Sequence, residues 1–187
     1  FPRVTVVGVI AWDMMLSMPD YRSAERTFAL LTQMAGRAGR GELPGEVYFQ
    51  TYDPNHYAVV AAAAQDYRLF YNEEIQRRRR ALYPPYTVHA RLLFTAAQEE
   101  LAAQEAQQAD TLVRDWISAH PNERKTLLHM RALAAPIGYI RGQYRWQLFV
   151  KLSAKAPDAV LAYLETLSHL ETPDVLTDLE INPNSML

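Results

Sequence analysis

No cysteine occurs among the 187 residues. Disulfides and thiolate metal sites are therefore excluded from this stretch, and the composition fits a reducing compartment. Charge of one sign is not in excess either: 19 Lys and Arg against 21 Asp and Glu leave a net charge of −2. A generally basic surface is thereby excluded, so any contact with nucleic acid falls on a local patch. No apolar run reaches the roughly 18 residues of a membrane span, and no secretory leader is read at the start. His56, His89, His120, His129 and His169 lack metal-ligand spacing. Two catalytic signatures are missing: the Gly-x-x-x-x-Gly-Lys-Ser/Thr phosphate loop and the Gly-x-Ser-x-Gly nucleophile turn. Neither a self-contained nucleoside triphosphatase nor a self-contained serine hydrolase is expected.

What is present is a foldable chain, with 49% hydrophobic and 21% charged residues, the balance of a globular protein rather than a disordered one. Its densest signal is Gln33-Met34-Ala35-Gly36-Arg37-Ala38-Gly39-Arg40. Arg37 and Arg40 share one side of a helical turn. The interleaved Gly36 and Gly39 let the backbone bend and approach a ligand closely. A guanidinium is a planar, permanently charged fork that fits phosphate oxygens. A plainer reading stands beside this one: basic residues at a helix end complement its dipole, and glycine beyond them stops the helix.

Val4–Ile10 is a continuous β-branched run, the pattern of a central parallel strand covered on both faces. After the turn Pro19-Asp20-Tyr21-Arg22, Ser23 is a candidate N-cap for a helix over Ala24–Ala35. Leu43-Pro44-Gly45 is a turn, and Glu46–Thr51 alternates as a strand. Strand, helix and strand make one βαβ unit, too little to enclose a nucleotide. Phe1-Pro2-Arg3 leads straight into the first strand, so a missing N-terminal part is expected. Beyond Asp53-Pro54-Asn55, the spacing predicts one long helix over His56–Leu82. Glu73 and Glu74 are placed for i,i+4 pairs with Arg77 and Arg78. The run Arg77–Arg80 suits a DNA backbone or, equally, a solvated helix end. Tyr83-Pro84-Pro85-Tyr86 must stop the helix.

The C-terminal half reads as strand Val88–Phe94, helix Gln98–His120, strand Leu127–Ala134, a connection over Pro136–Gly142, strand Tyr144–Leu152, a helix opened by Pro157, and strand Val175–Ile181. That β-α-β-β-α-β order predicts a ferredoxin-like α+β domain, two helices covering one face of an antiparallel sheet. Basic residues (Arg141, Arg145, Lys151, Lys155) alternate with aromatics (Tyr144 among them), the pairing that holds single strands by charge and stacking. Trp146 is expected in the core and Arg145 on the open face. An RNA-recognition module has the same topology, but its Gly-aromatic-Gly/Ala-Phe-Val spacing is missing.

Gln-x-x-Gly-Arg-x-Gly-Arg resembles the sixth motif of superfamily 2 helicases. Phe1-Pro2-x-Val4 is similar to the end of their fifth motif. With Pro19-Asp20-Tyr21-Arg22-x-x-Glu25-Arg26-Thr27-Phe28, Gly142-x-Tyr144-Arg145-Trp146 and the terminal Asn182–Leu187, the chain resembles the primosomal replication-restart branch of that superfamily over nearly its whole length. The resemblance implies the end of a RecA-like second helicase lobe over residues 1–54, a connecting helix and Tyr-Pro-Pro linker over 55–85, and a DNA- or partner-binding α+β domain over 86–187. It implies a cytoplasmic, ATP- and Mg-dependent 3′-to-5′ DNA helicase that acts on stalled or branched forks and assembles the primosome. Arg37 and Arg40 would meet the terminal phosphate, Gln33 would link nucleotide state to the other lobe, and Gly36, Gly39 and Asp13 would line the nucleotide. Ala11 departs from the family's Asp-Ala-Asp, which weakens the match at Asp13. The C-terminal candidates for DNA or partner contact are Arg77, Arg78, Arg141, Tyr144, Arg145, Lys151 and Lys155. Forked or single-stranded DNA, single-strand-binding protein and other primosome proteins are the implied partners; no membrane is. The family's zinc depends on cysteines that this chain lacks, and the fragment alone is expected to be inactive. The alternative is a non-catalytic module that holds an acidic peptide such as the tail of single-strand-binding protein.

Overall fold

The computed structural model describes residues 5–10, 12–36, 45–155 and 157–184. The chain divides into two compact units, Phe1–Arg80 and Ala81–Leu187.

In the first unit, β1 (Val6–Val9) and β2 (Glu46–Phe49) pair in parallel, with Val6 opposite Glu46 and Val9 opposite Phe49. Four helices accompany them: α1 (Asp13–Leu16), α2 (Ser23–Ala35), α3 (Tyr57–Ala63) and α4 (Tyr67–Arg80). Trp12, Phe28, Leu31, Val59 and Phe70 form the core with the small residues of α3. Phe28 and Leu31 lie three apart on α2, so they share its inward stripe. The Phe28 ring stacks on Phe70 at 4.4 Å between centroids.

Three expectations change here. β1 was expected to be covered on both faces, but Val6 is 60% exposed and Tyr48 61%. Val9 and Phe49 turn to the core, and a two-stranded sheet with one core meets it with one face only. Ser23 does not cap α2. It is buried, and its hydroxyl donates to the Met18 carbonyl at 3.0 Å. The turn is held by Asp20, which accepts from the Arg22 amide at 2.9 Å and pairs with Arg26 at 3.0 Å. The long helix over 56–82 is two helices. Gln65 adopts φ 51°, outside helical space, and the Asp66 carboxylate then accepts from the Leu69 amide at 3.0 Å to start α4. Residues read as a connector thus belong to the first unit's core.

The second unit runs β3 (Thr87–Ala96), α5 (Glu99–Ala119), α6 (Pro121–Arg124), β4 (Leu127–Ile140), β5 (Gln143–Ser153), α7 (Asp158–Ser168) and β6 (Val175–Ile181). The strands form a sheet ordered β4-β5-β3-β6, every neighbour antiparallel. Both α5 and α7 join one hydrophobic core with the sheet: Ala102, Ala106 and Val113 from α5, Val160 and Leu164 from α7. Alanines on the inner stripe of α5 let that helix lie close to the strands. Facing them are Leu92 and Phe94 of β3 and Leu148, Val150 and Leu152 of β5, each 3% exposed or less. The unit is a mixed α+β fold.

The segment Pro136–Gly142, expected as a connection, is mostly strand. Only Arg141 and Gly142 turn, with φ 51° and 82°, the two left-handed positions of a tight hairpin turn. Ala134 pairs with Trp146 and Tyr139 with Tyr144, so β4 carries an irregularity between them that accommodates Pro136.

Candidate functional site

Of the residues assigned to a nucleotide, Arg37, Gly39 and Arg40 lie outside the described residues. Gln33 sits exposed near the end of α2. Gly36 is the C-cap of that helix, with φ −69°, and its amide donates to the Thr32 carbonyl at 3.0 Å. A Cβ there would meet only backbone carbonyls at 3.6 Å or more, so the cap itself does not demand glycine. Asp13 is engaged within the fold: its Oδ1 accepts from the Thr51 hydroxyl at 2.9 Å and the Tyr52 amide at 3.3 Å. It ties the segment after β2 to α1. Among the described residues these groups do not enclose a nucleotide. No group of three or more His, Cys, Asp or Glu there is placed to hold a metal ion.

The arginine run at the end of α4 divides by helical phase. Arg78 turns inward, its side chain 14% exposed, and meets Glu74 at 2.6 Å and Glu25 of α2 at 2.8 Å. Glu74 is itself buried and accepts a further hydrogen bond from the Tyr57 hydroxyl. Burial and that carboxylate push the Tyr57 hydroxyl well above its usual range. Arg77 pairs with Glu73 at 2.8 Å and lies 4.4 Å over the Tyr57 ring. The Tyr57–Glu74–Arg78–Glu25 cluster therefore joins α3, α4 and α2, and Arg77, Arg79 and Arg80 are the exposed members of the run.

The second unit separates its candidates by strand parity. On β5, Tyr144 and Trp146 oppose Ala96 and Phe94 on the helix-covered face, and the Trp146 indole donates to Glu99 of α5 at 3.3 Å. Tyr144 packs on Tyr139 at 4.8 Å. Arg145, Gln147, Phe149 and Lys151 take the other face. Arg141 in the hairpin turn and Lys155 beyond the strand are exposed at opposite ends of β5, about 35 Å apart for an eleven-residue strand. They do not form one site. Lys151 lies 4.7 Å over the Tyr83 ring and donates to the Ala81 carbonyl at 3.2 Å; partial burial lowers its pKa.

Arg145 is half-buried. It lines a polar hollow of about 590 Å³ with Arg91, Glu180, Asn182, Pro183 and Asn184. Arg91 crosses to β6 and its Nε donates to Glu180 at 2.8 Å, so its charge is balanced. Arg145 donates weakly to the Ile137 carbonyl at 3.4 Å and makes no ion pair among the described residues. The sequence reading missed Arg91, Glu180 and Asn182. The signal was there: His89 and Arg91 sit at alternate positions of an otherwise apolar strand, as Asp178 and Glu180 do on the last one. His89 pairs its backbone with Asn182, donating to the Asn182 side chain at 3.0 Å and accepting from the Asn182 amide at 2.7 Å. Burial and the nearby Lys151 charge bring its ring pKa down to about 4, against an opposing hydrogen bond with the Leu82 backbone.

No family model matches the chain. Curated relatives do. It is 38% identical over 191 residues to the replication restart protein PriA of Bacillus subtilis, covering 100% of this chain and 23% of that protein. It is 35% identical over 184 residues to PriA of Synechocystis, covering 98% of this chain and 21% of that one. For PriA of Haemophilus influenzae the values are 34% over 151 residues, 81% and 20%. By these relatives, the two-unit α/β chain falls in the class of replication restart proteins. It belongs to the PriA family. The chain spans about a fifth of the length of these relatives.

Proposed function

We propose that this chain is the portion of an ATP-dependent 3′-to-5′ DNA helicase that completes one wall of the nucleotide cleft and carries a DNA- and partner-binding domain. The observation that carries this reading is the similarity to replication restart proteins along the whole chain. In the parent protein, a cytoplasmic enzyme, ATP and Mg would be held jointly with residues outside this stretch. Arg37 and Arg40 would steady the charge on the terminal phosphate, and Gln33 would sense it. Asp13 would act at one remove, since its carboxylate already positions Thr51 and Tyr52. No step of the reaction is assigned to the chain alone.

The ferredoxin-like reading of residues 86–187 is supported by the strand order β4-β5-β3-β6 and by both helices sharing one core. On the sheet face away from the helices, Arg145 is the group we assign to a phosphate of forked or single-stranded DNA. The hollow beside it also favours a second reading, an acidic peptide such as the tail of single-strand-binding protein, because a guanidinium without an ion pair among the described residues fits a carboxylate equally well. Primosome assembly is the role that either contact would serve.

The deciding measurement is binding of a fluorescent fork and of an acidic peptide by the purified chain across a salt series. Fork affinity that falls steeply with salt and is lost in Arg145→Ala supports the DNA reading. Peptide affinity lost in the same variant, without fork binding, supports the second. If neither ligand depends on Arg145, this assignment fails. In the full-length parent, Arg37→Ala should lower ATP turnover about a thousandfold while sparing fork affinity. Unchanged turnover would overturn the motor assignment.

A further inference from the structure

The sheet ends on β6, whose outer edge has no neighbouring strand among the described residues. The Asn182 amide donates inward to His89 of β3. Antiparallel alternation then turns the amides of Glu180, Asp178 and Leu176 inward too, and those of Thr177, Leu179 and Ile181 outward. Three residues thus offer unpaired donors and acceptors along one line. Edge strands are commonly blunted by proline, lysine or a bulge. Val175–Ile181 has no proline, lysine or register shift.

Beside this edge runs a groove of about 660 Å³ between α7 and β6. Leu161, Ala162, Leu179 and Ile181, with the methyl of Thr177, supply an apolar floor. The outward backbone and the floor belong to the same three β6 residues, so a segment paired to the edge would lay alternate side chains over the floor. Asp158, Glu165 and Asp178 also line the groove, and no lysine or arginine does. None of the three carboxylates enters an ion pair among the described residues.

We propose that the β6 edge and its groove bind an extended, alternately basic and apolar segment of a partner protein, added to the sheet as a further strand. Charge chooses the occupant. A nucleic-acid backbone would be repelled by the rim. A second copy paired edge to edge would bring its own Asp178 and Glu180 carboxylates against these, and like charges across a strand pair are unfavourable. A strand with Lys or Arg on the Asp178 side and Val or Ile on the groove side satisfies both surfaces. Backbone pairing of this kind gives affinity, and the alternate side chains give specificity. This surface is separate from Arg145, and the inference does not depend on the DNA reading.

The test uses the 187-residue chain with a labelled heptapeptide of alternating Lys and Val, capped at both ends, and a Glu-Val peptide of the same length. The Lys-Val peptide should bind, shifting the amide resonances of Thr177, Leu179 and Ile181, and the Glu-Val peptide should bind at least tenfold more weakly. Asp178→Lys should weaken binding about tenfold, roughly 1.4 kcal/mol, and Glu165→Lys, on the groove side, severalfold. Both side chains lie outside the core, so folding is retained. Thr177→Pro removes one outward donor and no ladder bond, and should also weaken binding severalfold. Equal affinity for the two peptides, shifts confined to other strands, unchanged binding in Asp178→Lys, no binding at millimolar peptide, or dimerisation through β6 without peptide would each overturn the proposal.

Discussion

The Ala81–Leu187 unit closes one face of a four-stranded sheet with two helices, whereas the Phe1–Arg80 unit packs four helices against two four-residue strands. In the former, side chains such as Leu92, Leu148, Leu152 and Leu164 are fully buried against one another. The latter has Leu31 as its one fully buried leucine among the described residues, and relies on stacked rings and a buried ion pair. The difference bears on function as well as stability. Arginines in the first unit are drawn into its architecture, as Arg78 is between Glu25 and Glu74. Arg145 of the second unit, on the sheet face away from α5 and α7, makes no ion pair among the described residues.

Core truncation should produce the largest effects and tests the contrast directly. Phe28→Ala is expected to cost about 3–5 kcal/mol and Leu148→Ala about 2–5 kcal/mol, read from urea unfolding. A cost below about 1 kcal/mol for Phe28→Ala would mean that the Phe28–Phe70 stack does not hold the first unit. Next comes the ion pair. Glu74→Ala should cost about 3 kcal/mol, since it leaves Arg78 and the Tyr57 hydroxyl without a buried acceptor. The double change with Arg78→Met should cost less than the two singles added together. An additive result would show that the contact carries no coupling.

A pH effect sharpens the contrast from the other side. The ring of His89, with Lys151 and Tyr83 beside it, has its folded pKa near 4, below the unfolded value of about 6.5. The unfolded chain therefore binds the extra proton in that window, so stability is present above pH 6.5 and is lost as pH falls towards 4. The loss should reach about 3 kcal/mol. Thermal melts at stepped pH should show it in the second unit, and His89→Gln should flatten it. An unchanged profile in that variant would assign the acid sensitivity elsewhere. The smallest effect belongs to Arg114, exposed on α5 and paired with Asp110 at 2.6 Å. Arg114→Ala should change stability by no more than about 0.5 kcal/mol.

Periodicity alone carried far in the second unit. The strand Val175–Ile181 was legible to the residue, and the split of β5 into Trp146 on the covered face and Arg145 on the open one followed from parity. Both are local signals: alternation is imposed by the pleat wherever one face is buried. The first unit was read less well. Its break at Gln65 carries no proline or glycine, and only Asp66, a residue type that starts helices, marks it locally. The hairpin turn at Arg141 and Gly142 does carry a glycine, but how far strand pairing extends on either side of it is decided by the partner strand.

By itself, the sequence determined the order of the elements, the inward stripes of α2 and α5, and membership of the PriA family. Those properties depend on residue type and spacing along the chain. Only the tertiary structure decided which charges are already balanced. It set Arg78 against Glu25 across 53 positions of sequence, Arg91 against Glu180 across 89, and left Arg145 unpaired among the described residues. Ion pairing falls off over a few ångströms of space, and spatial neighbours so distant in sequence leave no periodic trace.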